Sequence, residues 1–560
     1  MGNIFIYSII IGIISALILV PFKNNEKLRI HMKGKTKLLV FVSLAALITI
    51  GAFLFYYFTL LDQTISSLWI FVIILTLLGS MLATGMERTI KGILFAGSLL
   101  VGLYFLTAFL FNADEKYTIA KMDIKEEIQT FDENKKPASV PPQYARNKMK
   151  KAFGQVPNTS YYELGNLQIQ KVDGEYVYIA PVEFSGFFKW LKGKETPGYF
   201  ILSATDSSAN PKFVDAEMIY TPSAFFNKET ERRIRLQYPS YIFYGDSQLE
   251  VDDNGTPFYI RSYGDFVSAR NGFKVKGVVV MDAKTGKSNS YSLSEAPEFI
   301  DGAVAPEVVS TQNSYFGNYI HGYWNSLFGK SDVKLPSDEG TEANVSPIFD
   351  ENGDMYYFTD FTSPKEGVDS MLGYALTNSR TGKAVYYTGN MEESYMDSQG
   401  ALQIIEKKFI EKKWEGEMPI IYNFYGEASW LTGVLDSNGF LQNYFIVSAA
   451  NPEITAYGST PNEALKLYKT ALQKGGGTVN GTSTSVEKKI DGKVIRVYKE
   501  KSGEYTVVSF LLDNGQSYNM SSEKDPLIIY LQENDEVSVT YLDTGENFLP
   551  VNGITIKNLQ

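Results

Sequence analysis

The side chains best placed to grip a ligand gather between residues 360 and 395. Asp360 is followed by Val368-Asp369-Ser370, by Asn378-Ser379-Arg380-Thr381-Gly382, and by a 390–395 run that holds Glu392 and Glu393. A guanidinium presents its donors as a rigid planar fork. Arg380 could therefore pair with Glu392 or Glu393 and order a recognition loop. The plainer reading is a surface ion pair worth about 0–1 kcal/mol. His321 and Trp324 lie in the aromatic stretch YFGNYIHGYWN. They complete a candidate binding set of Asp360, Asp369, Arg380, Glu392, Glu393, His321 and Trp324. A lone His with no acid and nucleophile beside it in sequence is more often packed and hydrogen-bonded than catalytic.

Other chemistries are narrowed by what is missing. The chain has no cysteine and two histidines, His31 and His321. Thiolate metal sites, disulfides and cysteine nucleophiles are excluded, and a multi-histidine metal site is disfavoured. No phosphate-binding G-x-x-x-x-G-K-[ST], no H-E-x-x-H and no G-x-S-x-G occurs. The S-x-x-K at 521–524 lies downstream of the one K-T-G, at 284–286, the reverse of the order in penicillin-binding enzymes. The strings DDNG (252–255), DENGD (350–354) and DSNG (436–439) offer oxygens, but they are too short for a calcium loop and carry hairpin glycines. No catalytic residue, metal or cofactor is assigned. Two carboxylates about 5–9 Å apart would suffice for glycoside hydrolysis, yet the sequence has 63 acids and nothing to select a pair.

These residues must be positioned by two unlike parts of the chain. Residues 1–112 carry eight Lys or Arg and three acids, a net +5; the whole chain is −11, which leaves −16 for residues 113–560. An acidic remainder repels nucleic acid, so no nucleic-acid partner is expected. Four apolar segments, 4–20, 38–61, 68–84 and 93–111, approach or reach the roughly 20 residues a helix needs to cross a bilayer. The connection KNNEKLRIHMKGKTK holds six basic residues and one acid, GMERTIKG holds two and one, and DQTISS has no basic residue. The positive-inside rule places the two basic connections in the cytoplasm and both chain ends outside. The spans hold no internal charge, which favours anchoring over transport. Small residues spaced by four (Gly12 and Ala16, Gly79 and Ala83, Gly92 and Ala96) predict close helix packing.

Beyond the spans, residues 113–142 read as a polar stalk ending in Pro137, Pro141 and Pro142. Residues 143–153 form a short amphipathic helix with Ala145, Met149, Ala152 and Phe153 on one side. Two-residue turn signals then recur at Asp173-Gly174, Asn254-Gly255, Asn352-Gly353, Asn438-Gly439, Asp491-Gly492, Asn514-Gly515 and Asn552-Gly553, between runs rich in Tyr, Val and Phe. They predict antiparallel meanders. Helices are expected near 303–327, interrupted by Pro306 and Gly317, over 401–414, and over 460–472. The last has Thr460 as cap, Pro461 at the first helical position and Glu463 completing a capping box.

The pattern echoes itself. A helix, a proline and two strands occur at 143–182 and again at 401–448, and Thr-Gly-Lys closes a strand at 285–287 and at 381–383. A helix, then strands, then a turn such as MDAKTGK or TNSRTGK resembles the PepSY modules of exported bacterial proteins. That resemblance implies modules that bind or restrain partners. The bland alternative is that Thr-Gly-Lys is simply a good turn. After a Gly/Ser/Thr linker at 475–485, five strands at 493–499, 505–512, 527–531, 536–542 and 554–557 predict a small barrel resembling an OB-fold or SH3-like module. Its acidic turns lack the basic groove of a nucleic-acid binder.

The expected architecture is a multi-domain membrane protein. A four-helix transmembrane bundle (1–112) and stalk (113–142) lead to α+β extracytoplasmic modules with antiparallel sheets at 143–300 and 301–474. The linker and a β-barrel at 486–560 follow. The expected role is a non-enzymatic scaffold of the bacterial cell envelope that docks a protein or cell-wall partner, with oligomeric state open. An envelope enzyme working through paired carboxylates, or an accessory subunit of a transport or secretion complex, are the alternatives.

Overall fold

The computed structural model describes residues 2–26, 28, 31–126, 140–341, 343–350, 353–365, 367–389, 394–475, 487–502, 505–522, 525–542 and 548–559. Residues 127–139 of the stalk, Asn352, Glu392, Glu393, the SxxK lysine and nearly all of the 475–485 linker lie outside the described residues; the described start of the stalk is folded, as helix Ala113–Ile119 and strand Asp123–Lys125.

Four apolar helices open the chain: α1 (Gly2–Leu19), α2 (Gly34–Thr59), α3 (Trp69–Leu82) and α4 (Gly85–Phe111). Three helical stretches, α2, Ile65–Leu82 ending in α3, and α4, are long and apolar enough to cross a membrane; α1 has a shorter apolar run. The 26 residues of α2, at about 1.5 Å each, exceed a hydrocarbon core of about 30 Å. Helix α1 rests on α2 and α3, and α3 on α4. Close approach explains two of the three small-residue pairs. A methyl group on Gly12 would overlap Thr49 Oγ1 and the Ala45 carbonyl, and one on Gly79 would lie 2.6 Å from the Ile18 carbonyl oxygen. Gly92 faces open space and Ala96 is exposed, so the third pair makes no helix contact. Lys91 does not reach outward as its flanking position suggests: its ammonium lies 2.6 Å from Glu87, four residues earlier.

The described chain packs as two compact units, one from residues 2–126, 140–420 and 433–442, the other from 421–432 and 443–559. In the first, helix Pro142–Ala152 buries Ala145 and Met149 in a core with Val182 and Phe200. Its sheets are antiparallel meanders. Tyr162–Leu164 and Gln168–Val172 both pair with Glu175–Phe184, which continues to Thr196–Ser203 and Lys212–Met218. The next sheet runs Gln248–Val251, Pro257–Val267, Gly272–Asp282, Ser288–Ser292. A third runs Ser346–Phe349, Met355–Thr362, Ser370–Asn378, Ala384–Tyr387, with Asp123–Lys125 added in parallel at its edge. Strands Glu415–Phe424, Glu427–Leu435, Leu441–Ser448 and Thr455–Gly458 pair in that order, and most of their residues belong to the second unit.

The second unit holds helix Pro461–Gly475 and a closed five-stranded barrel. Thr460 Oγ1 accepts from the Glu463 amide, as the capping signature requires. The Glu463 carboxylate instead reaches Ser459, taking its N–H and hydroxyl. The barrel order is Glu487–Ser502, Tyr505–Leu512, Ser517–Ser521, Phe548–Ile556, Glu536–Leu542, closing on the first strand.

Several local expectations fail for physical reasons. Leu527–Leu531 does not form a strand. Asp525 caps a 3₁₀ turn at Pro526–Tyr530, accepting from Leu527 N at 2.9 Å, and Pro526 suits a first helical position. The missing strand is Ser517–Ser521. Asp491-Gly492 and Asn552-Gly553 are not hairpins but lie inside long strands. At Gly492 the first strand changes partner: residues up to Lys493 pair with Glu536–Leu542, and those from Val494 pair with Tyr505–Leu512. A glycine suits such a barrel corner. Pro306 does not interrupt its helix but begins it, Pro306–Asn318. Short turns at Gly322–Trp324 and Asn325–Gly329 follow.

Candidate functional site

The Thr-Gly-Lys turns end the third strand of each of two four-strand meanders with one geometry. Asp282 Oδ1 accepts from the amides of Lys284 and Thr285, both at 2.8 Å. The Asn378 side-chain oxygen accepts from those of Arg380 and Thr381, at 3.2 and 2.9 Å. In both, the glycine takes a left-handed φ, 66° at Gly286 and 70° at Gly382, and donates to the carbonyl four residues back at 2.9 and 2.8 Å. The preceding turns agree too. Asp252 Oδ1 takes the Thr256 amide and Asp350 Oδ1 takes the Asp354 amide, each at 2.8 Å. The first acid of each calcium-like string, Asp252, Asp350 and Asp436, is thus spent on backbone N–H groups, as turn chemistry predicts.

Arg380 leaves the second of these turns and reaches loop 296–301. Its guanidinium donates to the carbonyls of Pro297 at 3.1 Å, Glu298 at 2.8 Å, Ile300 and Ala296. Ser379 Oγ lies 2.6 Å from the Asp301 carbonyl. The fork that could have read a partner's carboxylate clamps the protein's own backbone.

Beneath that loop lies a pair of acids. Glu250 and Asp301 are 3% and 8% exposed, which closes both to a substrate in this conformation. Glu250 accepts from the amides of Asp301 and Gly302 at 2.8 and 2.7 Å, and Asp301 Oδ2 from the Lys171 amide at 2.6 Å. Burial, then the neighbouring Asp301 charge, pushes Glu250 up to about 8. Burial also raises Asp301, against the opposing pull of its hydrogen bond from Lys171 and of Arg380. Two carboxyl groups so close in a poorly solvated place hold on to protons.

Of the remaining candidates, Asp360 is buried and accepts from Ser398 N and Oγ, both at 3.0 Å. Burial raises its carboxyl to about 6. Asp369 is exposed, beside Gly400. Both therefore adjoin the start of helix Ser398–Lys408, which Asp397 caps through the Gly400 amide at 2.9 Å. His321 pairs with Asp332 at 2.8 Å, both exposed. Trp324 stacks on Phe328 with centroids 6.0 Å apart. The predicted set is thus divided among three places: the 296–301 loop, the 398–408 helix start and the 321–332 turns. Glu392 and Glu393 lie outside the described residues.

Sequence reasoning missed the most heavily charged contact, where helices meet sheet. Asp62, between α2 and α3, is 4% exposed and pairs with Arg270 at 2.8 Å. Burial raises its carboxyl, but hydrogen bonds from Arg270 and Thr64 outweigh this and hold it below its ordinary value. Arg235 Nε donates to the Leu60 carbonyl at 2.8 Å and Arg232 Nε to the Tyr57 carbonyl at 3.0 Å, so both cap the C-terminal end of α2. Cations suit the negative end of a helix dipole. Burial, then the like charge of Arg261, pushes Arg235 down to about 10. The Asn271 carboxamide donates to the Phe105 carbonyl of α4 at 3.0 Å. The available signal was Asp62 itself, the one acid in an otherwise uncharged connection between apolar spans.

Among the described residues no three acids or histidines group as metal ligands. No protein-family model and no curated protein matches the chain. Similar solved structures include an α-L-arabinofuranosidase from Lactobacillus brevis, 10% identical, TM-score 0.18, covering 71% of this chain and 96% of that one. A glycoside hydrolase is 8% identical, with TM-score 0.18 and coverage of 67% and 94%. A levansucrase from B. megaterium is 9% identical, with TM-score 0.17 and coverage of 80% and 96%. Likenesses this loose carry no argument about chemistry.

Proposed function

We propose that this chain is a multi-pass membrane protein of the bacterial cell envelope whose extracytoplasmic part is a non-enzymatic binding scaffold for a protein or cell-wall partner. The observation that carries the reading is the charged seam at Asp62, Arg232, Arg235 and Arg270, which fastens the sheets to the ends of α2 and α4. The basic connections lie at the opposite helix ends. There Asn25 reaches the Leu82 carbonyl and Lys37 the Phe22 carbonyl. With α1 as a fourth span, the positive-inside rule then puts chain ends and sheets outside.

The paired meanders favour tandem modules of the PepSY type over a chance turn, because the matching turns sit at matching strand ends. The barrel's order favours the OB type: its first strand pairs with both the second and the fourth, and its third runs parallel to its fifth. The enzyme reading has one observation behind it, the Glu250–Asp301 pair with raised proton affinity. Its burial beneath the Arg380 clamp favours a structural joint. The decisive measurement combines protease treatment of intact and lysed cells with affinity purification on isolated wall and on crosslinked membranes. Digestion of the acidic part in intact cells, with specific retention of one wall or protein component, is the expected outcome. Protection until lysis overturns the placement. Outward placement with neither retention nor crosslinks overturns the scaffold.

A further inference from the structure

Between residues 113 and 420, eight described large apolar side chains are half or more exposed. Six of them fall in two groups: Phe188 and Leu191 with Phe226, whose ring lies 6.3 Å from Phe187 and 6.0 Å from Trp190, in one, and Trp324, Leu327 and Phe328 in the other. Soluble surfaces scatter such residues singly, and clusters of them mark contact surfaces.

Each group is continuous with the end of an apolar span. Helix Phe187–Gly193 carries Phe188, 79% exposed, and Leu191, 54% exposed. Phe187 and Trp190 pack on Phe225 with centroids 5.0 and 5.5 Å away. Next to Phe226, Asn227 accepts from the Tyr57 hydroxyl at 3.0 Å, two residues before the end of α2. Phe226 itself has φ 55°, a left-handed conformation that a bulky side chain adopts only under constraint. In the second group, Tyr323 meets Phe109 edge to face at 5.2 Å, two residues before the end of α4. Trp324 and Phe328 stack beside it, outward. Lys192 and Lys194 border the first group and Lys330 the second, all exposed.

We infer that these two groups are interfacial anchors: they lie in the outer headgroup layer of the same bilayer that α2 and α4 cross, and hold the sheets against the membrane surface. The inference rests on the membrane placement of the apolar helices. Its chemistry is that of the water–lipid boundary, where Trp and Phe gain burial and flanking Lys meets anionic phosphate. Both groups meet the spans at one level, since Tyr57 and Phe109 occupy equivalent positions in their helices. His321 and Trp324 then belong to a lipid-facing surface and not to a ligand pocket.

The absence of cysteine makes the test clean. Full-length F188C and F328C, each labelled with a polarity-sensitive fluorophore, are reconstituted in phosphatidylcholine–phosphatidylglycerol vesicles containing lipids with a quencher at shallow or deep chain positions. L47C, within α2, reports the span, and I410C, exposed and outside both groups, reports water. The expected result is at least a twofold greater quenching of F188C and F328C by shallow than by deep quenchers, strong deep quenching of L47C, and none of I410C. If L47C is quenched while F188C and F328C behave like I410C, the anchors are overturned and the membrane placement stands. If L47C is also unquenched, both readings fall.

Discussion

The barrel of the second unit and the sheets of the first keep their interiors together by opposite means. The barrel core is Val494, Val508, Phe510, Leu512, Ile528, Val537, Val539 and their neighbours. Among its described residues, 487–559, no buried side chain is polar in class or charged. The first unit instead buries Glu183, Arg235, Glu250, Asp301 and Asp360, each with hydrogen-bond partners. A core of hydrocarbon has no charge to titrate and is indifferent to pH. Buried ions are stable only while every partner stays in place, and they fix one arrangement of loops at the cost of tolerance. The contrast suits a small self-contained barrel on one hand and, on the other, a many-sheeted unit that must hold a set orientation to its spans.

Three measurements would break or sharpen this contrast. Phe510→Ala should cost about 3–5 kcal/mol in the barrel by leaving a cavity. Its urea transition should move and that of the first unit should not; a common shift would deny the barrel its independence. Asp62→Ala should cost less, about 1–3 kcal/mol, in the first unit, because the half-buried Arg270 loses its ion-pair partner and keeps only the hydroxyls of Thr64 and Ser66. Hydrogen exchange should then rise at 268–271 and at the end of α2 and leave the barrel unchanged. The third effect is a gradual one, a pH slope. Glu250 binds its proton more tightly folded than unfolded, so its contribution is complete below the ordinary 4.5 and is lost as pH rises toward about 8. First-unit stability should fall gradually as pH rises through that window. Glu250→Gln should flatten the fall, while the barrel midpoint stays constant in both proteins.

What could be read from the sequence was local. Asp173-Gly174 joins its two strands as a turn of that composition should, Ala145 and Met149 face a core at helical spacing, and Thr460 caps its helix. Run length alone marked the long apolar helices. What could not be read was partnership at long range. Glu250 and Asp301 lie 51 residues apart in the chain and meet only through a loop that Arg380 holds from a third segment. No pattern in the run QLEV tells its acid from a solvated one. Leu527–Leu531 failed differently: five mostly apolar residues fit a strand or a turn of helix equally by period, and only the Asp525-Pro526 start decides.

Helix Thr230–Gln237 has one more consequence. One side holds the carbonyls at the end of α2 through Arg232 and Arg235, and the other holds the Gly286 carbonyl through Arg233 and Gln237, both at 3.0 Å. Two turns of rigid rod thus serve as a yoke between α2 and sheet. Any tilt of α2 therefore pulls, through this one helix, on the Thr-Gly-Lys corner at 285–287.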